Sequence, residues 1–313
     1  MTLIPASASL SSDPDLRWGR QRDWVWRGCT VRYTYLRCLD PGRMSATPIL
    51  FIHGFGAAIG HWRNNLQAMS QHYPVYAIDL LGFGASQKGA ASYGTAVWVE
   101  QVYEFWRSLI RQPVVLVGNS LGSVVCLGLA AKHPEMVRGI TFINLPDFTA
   151  TGMPEVLKTV AQPIGAIAKW IITFPPIFIP FFYWIRQPAV IQNWIGQAYY
   201  DRRAIDAELV TLLASPPWDR GAARALSAMV LSQRQLPPEY TAKGALPRLT
   251  IPMLLIWGKQ DRMVPPSLAK KIVSFNPTIR WVELDQAGHC PHDECPDRIN
   301  PLLLDWLSTC VPE

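Results

Sequence analysis

Ser120 stands in the string Gly118-Asn119-Ser120-Leu121-Gly122, and the residues on either side decide what its hydroxyl can do. Pro113-Val114-Val115-Leu116-Val117 before it reads as a strand, and Ser123 to Lys132 after it reads as an apolar helix. Strand, tight Gly-x-Ser-x-Gly turn and helix together thrust a serine hydroxyl out of a sheet edge as a nucleophile. The same string occurs in ordinary turns, so the flanking elements carry the reading. Such a serine needs a base within hydrogen-bonding reach and a third group that fixes the tautomer of the base. In this setting the order along the chain is serine, acid, histidine.

Two downstream loops offer those partners. Gly258-Lys259-Gln260-Asp261-Arg262-Met263-Val264-Pro265 follows the apolar run Pro252 to Trp257, and Ala287-Gly288-His289-Cys290-Pro291-His292 follows Arg280 to Leu284. Asp147, just past the run ending at Asn144, competes for the acid; the Gly-x-x-Asp turn ahead of a proline favours Asp261. His292 competes for the base. Gly288 suits a histidine presented on a tight turn, whereas His292-Asp293-Glu294 reads as a polar lead-in to a helix. His133 closes the helix after Ser120, where a histidine suits the dipole, and His61 and His72 read as bracketing a surface helix. His53-Gly54-Phe55-Gly56 is a glycine turn ending a strand. It can also aim a backbone N–H at a developing oxyanion, so Phe55 and Leu121 are the candidate oxyanion donors.

The elements that must position these residues alternate. Trp24 to Trp26 and Thr30 to Leu36 read as two antiparallel edge strands joined near Gly28. Pro48 to Ile52, Val75 to Asp79, the run before Ser120 and Gly139 to Asn144 are continuous apolar strands, interleaved with helices near His61 and over Ala96 to Ile110. This predicts an α/β fold with a mostly parallel central sheet flanked by helices. The rhythm stops at Pro146 and resumes at Pro252, and the helical stretch between reads as an inserted cap. The expected division is an irregular arm over 1–23, core over 24–146, cap over 147–246 and core again over 247–313. A terminal helix is expected around Ile299 to Leu307. Within the cap, Ile164 to Ile185 is almost wholly apolar, but Pro175-Pro176, Pro180 and Lys169 break it, so short helices are expected rather than a membrane span. Its Trp170, Phe174, Phe178, Phe181, Phe182 and Trp184 would line a greasy cleft, lie on a bilayer or fill the cap core.

With 49% hydrophobic and 17% charged residues, the chain is not a disordered one. A net charge of +6 without any long basic run gives nucleic-acid binding little support; an anionic membrane surface fits the charge better, and an ordinary basic exterior accounts for it best. The six cysteines show neither a CxxC pair nor metal-ligand spacing, so reduced thiols and no metal site are expected, with Cys126 a buried apolar residue. The first residues show neither a signal peptide nor a transit peptide, which fits a cytosol-like compartment.

His-Gly-Phe-Gly, Gly-Asn-Ser-Leu-Gly, Gly-x-x-Asp and Gly-His, in that order, closely resemble the α/β-hydrolase family over nearly all of the chain after residue 24. Gly54-Phe55-Gly56 with His61-Trp62-Arg63-Asn64-Asn65, Ala77-Ile78-Asp79-Leu80-Leu81-Gly82-Phe83-Gly84-Ala85-Ser86, Gly118 to Ser123, and Ala287 to Glu294 look like the pheophytinase and chlorophyll dephytylase branch. The resemblance implies a Ser120, Asp261, His289 triad and no cofactor. It also implies hydrolysis of the phytyl ester of chlorophyll or pheophytin in a cyanobacterial-type protein, soluble on the cytoplasmic side or held peripherally at the thylakoid. A general esterase or lipase of smaller acyl groups shares the triad, and a slowly turning ligand-binding protein shares the fold. Epoxide hydrolases and haloalkane dehalogenases place an aspartate where Ser120 stands.

Overall fold

A computed structural model describes residues 17–89, 92–147, 174–232 and 237–311. Eight strands form one sheet: β1 (Gln21–Trp26), β2 (Cys29–Leu36), β3 (Ile49–Ile52), β4 (Val75–Ile78), β5 (Val114–Asn119), β6 (Val137–Ile143), β7 (Met253–Gly258) and β8 (Arg280–Leu284). Their order is β1-β2-β4-β3-β5-β6-β7-β8. The β1–β2 and β2–β4 pairs are antiparallel and every other pair is parallel. β1 starts at Gln21 rather than Trp24, because its first residues are exposed and polar and give no apolar signal.

The central strands β3, β5, β6 and β7 are predominantly apolar because both faces are covered. Along β3, Leu50 and Ile52 enter one core cluster while Ile49 and Phe51 enter the other. In β5, Val114 and Leu116 face the first cluster, Val115 and Val117 the second. This two-residue period turns one apolar run into two faces.

Helices cover both faces: α1 (Leu66–Ser70), α2 (Thr95–Phe105, continued by a π turn to Ile110) and α3 (Leu121–Lys132), which directly follows β5. Between β6 and β7 the described chain holds α4 (Pro175–Ile185), α5 (Pro188–Ala198), α6 (Ala207–Ala214), α7 (Ala222–Leu231) and short helical turns, without a strand among the described residues. The core resumes with β7, α8 (Ser267–Phe275), β8 and α9 (Pro296–Cys310). α4 keeps Pro180 inside it, and among the described residues no helix is long and apolar enough to cross a membrane. Trp170 and the rest of 164–173 lie outside the described residues.

After β3 the chain steps to β4 on one side and returns to β5 on the other, so the order reverses between β3 and β5. Loops leaving the carboxyl ends of two such strands diverge and open a crevice. The loops after β3, β5, β6, β7 and β8 carry His53 to Phe55, Ser120, Asn144, Asp261 and His289 respectively.

Candidate active site

Ser120 bridges β5 and α3 with φ 53° and ψ −115°, a left-handed conformation unusual for a residue with a side chain. Such a backbone costs about 1–3 kcal/mol and persists only where the surroundings enforce it. Close approach enforces it here. A Cβ on Gly122 would stand 2.0 Å from the Ile52 carbonyl oxygen, and one on Gly118 2.5 Å from the Gly122 carbonyl carbon. The turn is thus pressed against the end of β3, and the Ser120 N–H donates to the Ile143 carbonyl of β6 at 2.9 Å. Ser123 Oγ adds a bond to the Gly118 carbonyl at 2.6 Å.

His289 and Asp261 are brought together. His289 Nδ1 donates to Asp261 Oδ2 at 2.7 Å, and the two side chains are 7% and 0% exposed. The other carboxylate oxygen, Oδ1, accepts from the Met263 and Val264 amides at 2.7 and 2.9 Å, while Asn144 Nδ2 donates to Oδ2. A carboxylate so held is fixed in place and cannot rotate away from the imidazole. Among the described residues no hydrogen bond joins Ser120 Oγ to His289, a contact that commonly tightens only around substrate. Asp147 is engaged elsewhere: its Oδ2 accepts from the Ala242 amide at 2.6 Å.

His292 is no solvated lead-in. It is fully buried in the helical turn Pro291–Glu294, its ring 4.3 Å from that of Trp62 and 4.6 Å from that of His61. Neither ring nitrogen has a hydrogen-bond partner, and burial drives its pKa well below the ordinary histidine value. His61 is buried too, on the turn Ile59–Trp62, and burial lowers it to about 4. Only His72 of that pair is exposed.

The candidate oxyanion donors sit at the ends of β3 and β5. The Leu121 amide occupies the first position of α3, where a helix leaves its N–H groups without intrahelical acceptors. The Phe55 loop is pinned by His53, whose Nδ1 donates to the Gly54 carbonyl at 2.7 Å while Nε2 accepts from the Leu80 amide at 3.0 Å. Those two bonds require the neutral Nδ1–H tautomer, and burial lowers the His53 pKa accordingly. Phe55 itself is 54% exposed and meets Phe83 edge-on at 5.2 Å.

The inserted segment reaches the histidine loop. The His289 N–H donates to the Ala198 carbonyl at 2.6 Å, and Glu294 accepts from the Gly288 amide at 2.7 Å and the Asp201 amide at 2.6 Å. Asn119 Nδ2 holds the His289 carbonyl from the other side at 3.1 Å. Behind this lies a buried polar chain. Asp293 accepts from Arg63 Nε at 2.8 Å, Asn64 Nδ2 at 3.1 Å and the Tyr199 hydroxyl at 2.8 Å, and that hydroxyl accepts from His61 Nε2 at 2.9 Å. Arg63 continues to Asp206 at 2.7 Å and Glu208 at 3.0 Å, both in the insertion. Sequence reasoning missed Asn119, Asn144, Tyr199 and Glu294 in these supporting places. Most of their partners lie far off in the chain, Gly288 beside Glu294 excepted, and only the position of Asn119 beside Ser120 gave a signal.

The predicted aromatic wall divides. Phe178 and Phe182 are buried against Ala222 of α7, whereas Phe174 and Phe181 are 43% and 45% exposed.

The fold, with this set of loops, has known counterparts. A model of the alpha/beta hydrolase family matches residues 49–302. A chloroplastic pheophytinase of Arabidopsis thaliana is 27% identical over 302 residues, which cover 84% of this chain and 62% of that protein, so the chain spans less than two thirds of its relative. The magnesium-chelatase 30 kDa subunit of Rhodobacter capsulatus is 27% identical over 278 residues, covering 86% of this chain and 89% of that one. A membrane phospholipase A of known crystal structure superposes with a TM-score of 0.73 at 24% identity, covering 94% of this chain and 88% of the other, a likeness of fold. With the family match running from β3 into α9, and so taking in every site loop described above, this chain belongs to the alpha/beta hydrolase family.

Proposed function

We propose that the protein is a carboxylic-ester hydrolase in which Ser120, His289 and Asp261 form the catalytic triad and 147–246 forms a cap over it. The observation that carries this is the His289–Asp261 bond of 2.7 Å, made through Nδ1 and buried at the carboxyl end of the sheet. It leaves Nε2 as the nitrogen that can take a proton, on a loop whose carbonyl is held by the residue preceding the strained Ser120. In the proposed reaction His289 Nε2 removes the proton of Ser120 as Oγ attacks the ester carbonyl. The Phe55 and Leu121 amides hold the oxyanion. His289 returns the proton to the departing alkoxide, and the alcohol leaves. Water, deprotonated by the same imidazole, then attacks the acyl-serine; the acyl–Oγ bond breaks, His289 gives the proton back to Ser120 Oγ, and the acid is released. Every proton in this cycle moves through His289, with no cofactor taking part.

The substrate we propose is a large apolar ester, the phytyl ester of chlorophyll or pheophytin, giving chlorophyllide or pheophorbide and phytol at the thylakoid. Similarity to a pheophytinase and to a magnesium-chelatase subunit supports it. So does the aromatic stretch leading into α4, where the half-exposed Phe174, just ahead of the helix, would contribute to a greasy wall.

Purified protein incubated with chlorophyll a and with pheophytin a, products resolved by chromatography, tests the substrate. Phytol release lost on Ser120→Ala is the expected result. Hydrolysis confined to a short p-nitrophenyl ester would make it a general esterase instead, and a tight pigment complex without release would make it a binding protein. Near-normal hydrolysis by the Ser120→Ala variant would sink the triad.

A further inference from the structure

Helix α4 has the sequence Pro-Pro-Ile-Phe-Ile-Pro-Phe-Phe-Tyr-Trp-Ile and no charged or amide side chain anywhere along it. A helix on a water-facing surface ordinarily turns polar residues outward. One side of α4 is accounted for: Phe178 and Phe182 are buried and pack with Ala222, Ala223 and Leu226. Among the described residues nothing covers the other side. Ile177, Phe181 and Trp184 are 50%, 45% and 59% exposed, and their spacing of four and three residues puts them on one face. The rings of Phe181 and Trp184 lie 6.0 Å apart.

A cation is built into the edge of this face. The Arg186 guanidinium lies 3.9 Å from the ring centre of Tyr183 and 3.8 Å from that of Trp218, two rings that are each 51% exposed. Arg186 Nε is buried without a hydrogen-bond acceptor, and among the described residues no carboxylate forms a salt bridge with this arginine. Rings thus hold the charge in place without neutralising it. Apolar side chains in the middle, tryptophan and tyrosine at the edge and an arginine whose stem lies along them are the composition of a surface that sinks to the headgroup level of a bilayer. At 11 residues, with a proline inside, α4 is far short of the roughly twenty needed to span, so it would lie in the interface plane.

We propose that the outer face of α4, Ile177, Phe181 and Trp184 with Arg186 beside them, docks the protein on an anionic lipid surface. The charge favours lipid over a second copy of the chain: two copies meeting on this face would bring two unneutralised Arg186 groups together, whereas lipid phosphates supply their counterions, and the whole chain carries +6. This docking stands apart from the ester reading, because binding is measured without turnover.

The test is co-sedimentation with sucrose-loaded vesicles, either pure phosphatidylcholine or with about 30% phosphatidylglycerol. Wild-type protein is expected to sediment with the anionic vesicles, with Trp emission shifting to the blue. An Ile177→Ser/Trp184→Ser variant should lose about tenfold or more in partitioning while keeping its melting temperature and its hydrolysis of a soluble short-chain ester. Arg186→Gln should weaken binding to the anionic vesicles and leave the weaker binding to pure phosphatidylcholine unchanged. Wild-type protein remaining in the supernatant, equal binding by the double variant, or a solution dimer that this variant dissociates would each overturn the proposal. Failure of vesicle binding leaves the soluble ester assay intact, and failure of that assay leaves the binding intact.

Discussion

Asp293→Ala is the sharpest probe of how the insertion is joined to the core. Its carboxylate is 0% exposed and receives Arg63 Nε at 2.8 Å, Arg63 Nη2 at 3.3 Å, Asn64 at 3.1 Å and the Tyr199 hydroxyl at 2.8 Å. Removing one member of a buried ion pair costs about 3–5 kcal/mol, because the other charge stays behind in a poor solvent. Arg63, 4% exposed, keeps Asp206 and Glu208, but these are 53% and 33% exposed and compensate less. The lower end, about 3 kcal/mol, is therefore expected. For a chain of 313 residues that corresponds to a melting temperature lower by about 5 °C. Tyr199→Phe strands the His61 N–H while Asp293 Oδ2 keeps Arg63 Nη2, and should cost about 1–2 kcal/mol. Thermal melts of the two variants beside the wild type decide it. An Asp293→Ala protein melting within about 2 °C of wild type, or a costlier Tyr199→Phe, would refute a buried polar anchor and leave ordinary apolar packing to join the segments.

Other perturbations read different parts of the same frame. Ser120→Gly should raise stability by about 1 kcal/mol in a urea melt, since glycine adopts the φ of 53° without strain, while hydrolysis disappears; an unchanged midpoint would argue against stored strain. Gly122→Ala places a methyl 2.0 Å from the Ile52 carbonyl oxygen and should cost about 3 kcal/mol or more, visible as a lost soluble fraction or a much lower midpoint. Acid should weaken the fold through His61. Burial lowers its folded pKa from 6.5 to about 4, so below pH 6.5 the unfolded chain takes up a proton that the folded one refuses. Stability is then intact above pH 6.5 and falls as pH drops towards 4, by about 3 kcal/mol at most from this residue. Urea midpoints at pH 7.5, 5.5 and 4.5 that do not decline would contradict the burial.

The apolar runs of β3, β5, β6 and β7 are plain in the sequence because the strands are covered on both faces, so that polar residues are confined to a few positions such as Arg138, Thr141 and Asn119. β1 was read short, since an exposed edge puts no hydrophobic demand on Gln21, Arg22 and Asp23. The site loops were legible for a related reason: a parallel sheet sends its functional residues to the carboxyl ends of strands, and Asp261 and His289 each follow one. What the sequence hid was burial. His61, His292 and Asp293 look like polar surface residues, yet they are enclosed because their partners come from Trp62, Arg63 and Tyr199, more than a hundred residues away in most pairings. Local periodicity carries no information about a partner at that separation. The outer face of α4 was hidden for the opposite reason, since composition alone cannot tell an aromatic residue in a core from one turned outward.

The bond from the His289 amide to the Ala198 carbonyl, with Glu294 clasping the Gly288 and Asp201 amides together, has a mechanical meaning. This short piece of the insertion is a rail to which the imidazole loop is fastened. A displacement of this piece would pull the His289 loop with it, so the two move as one body or not at all.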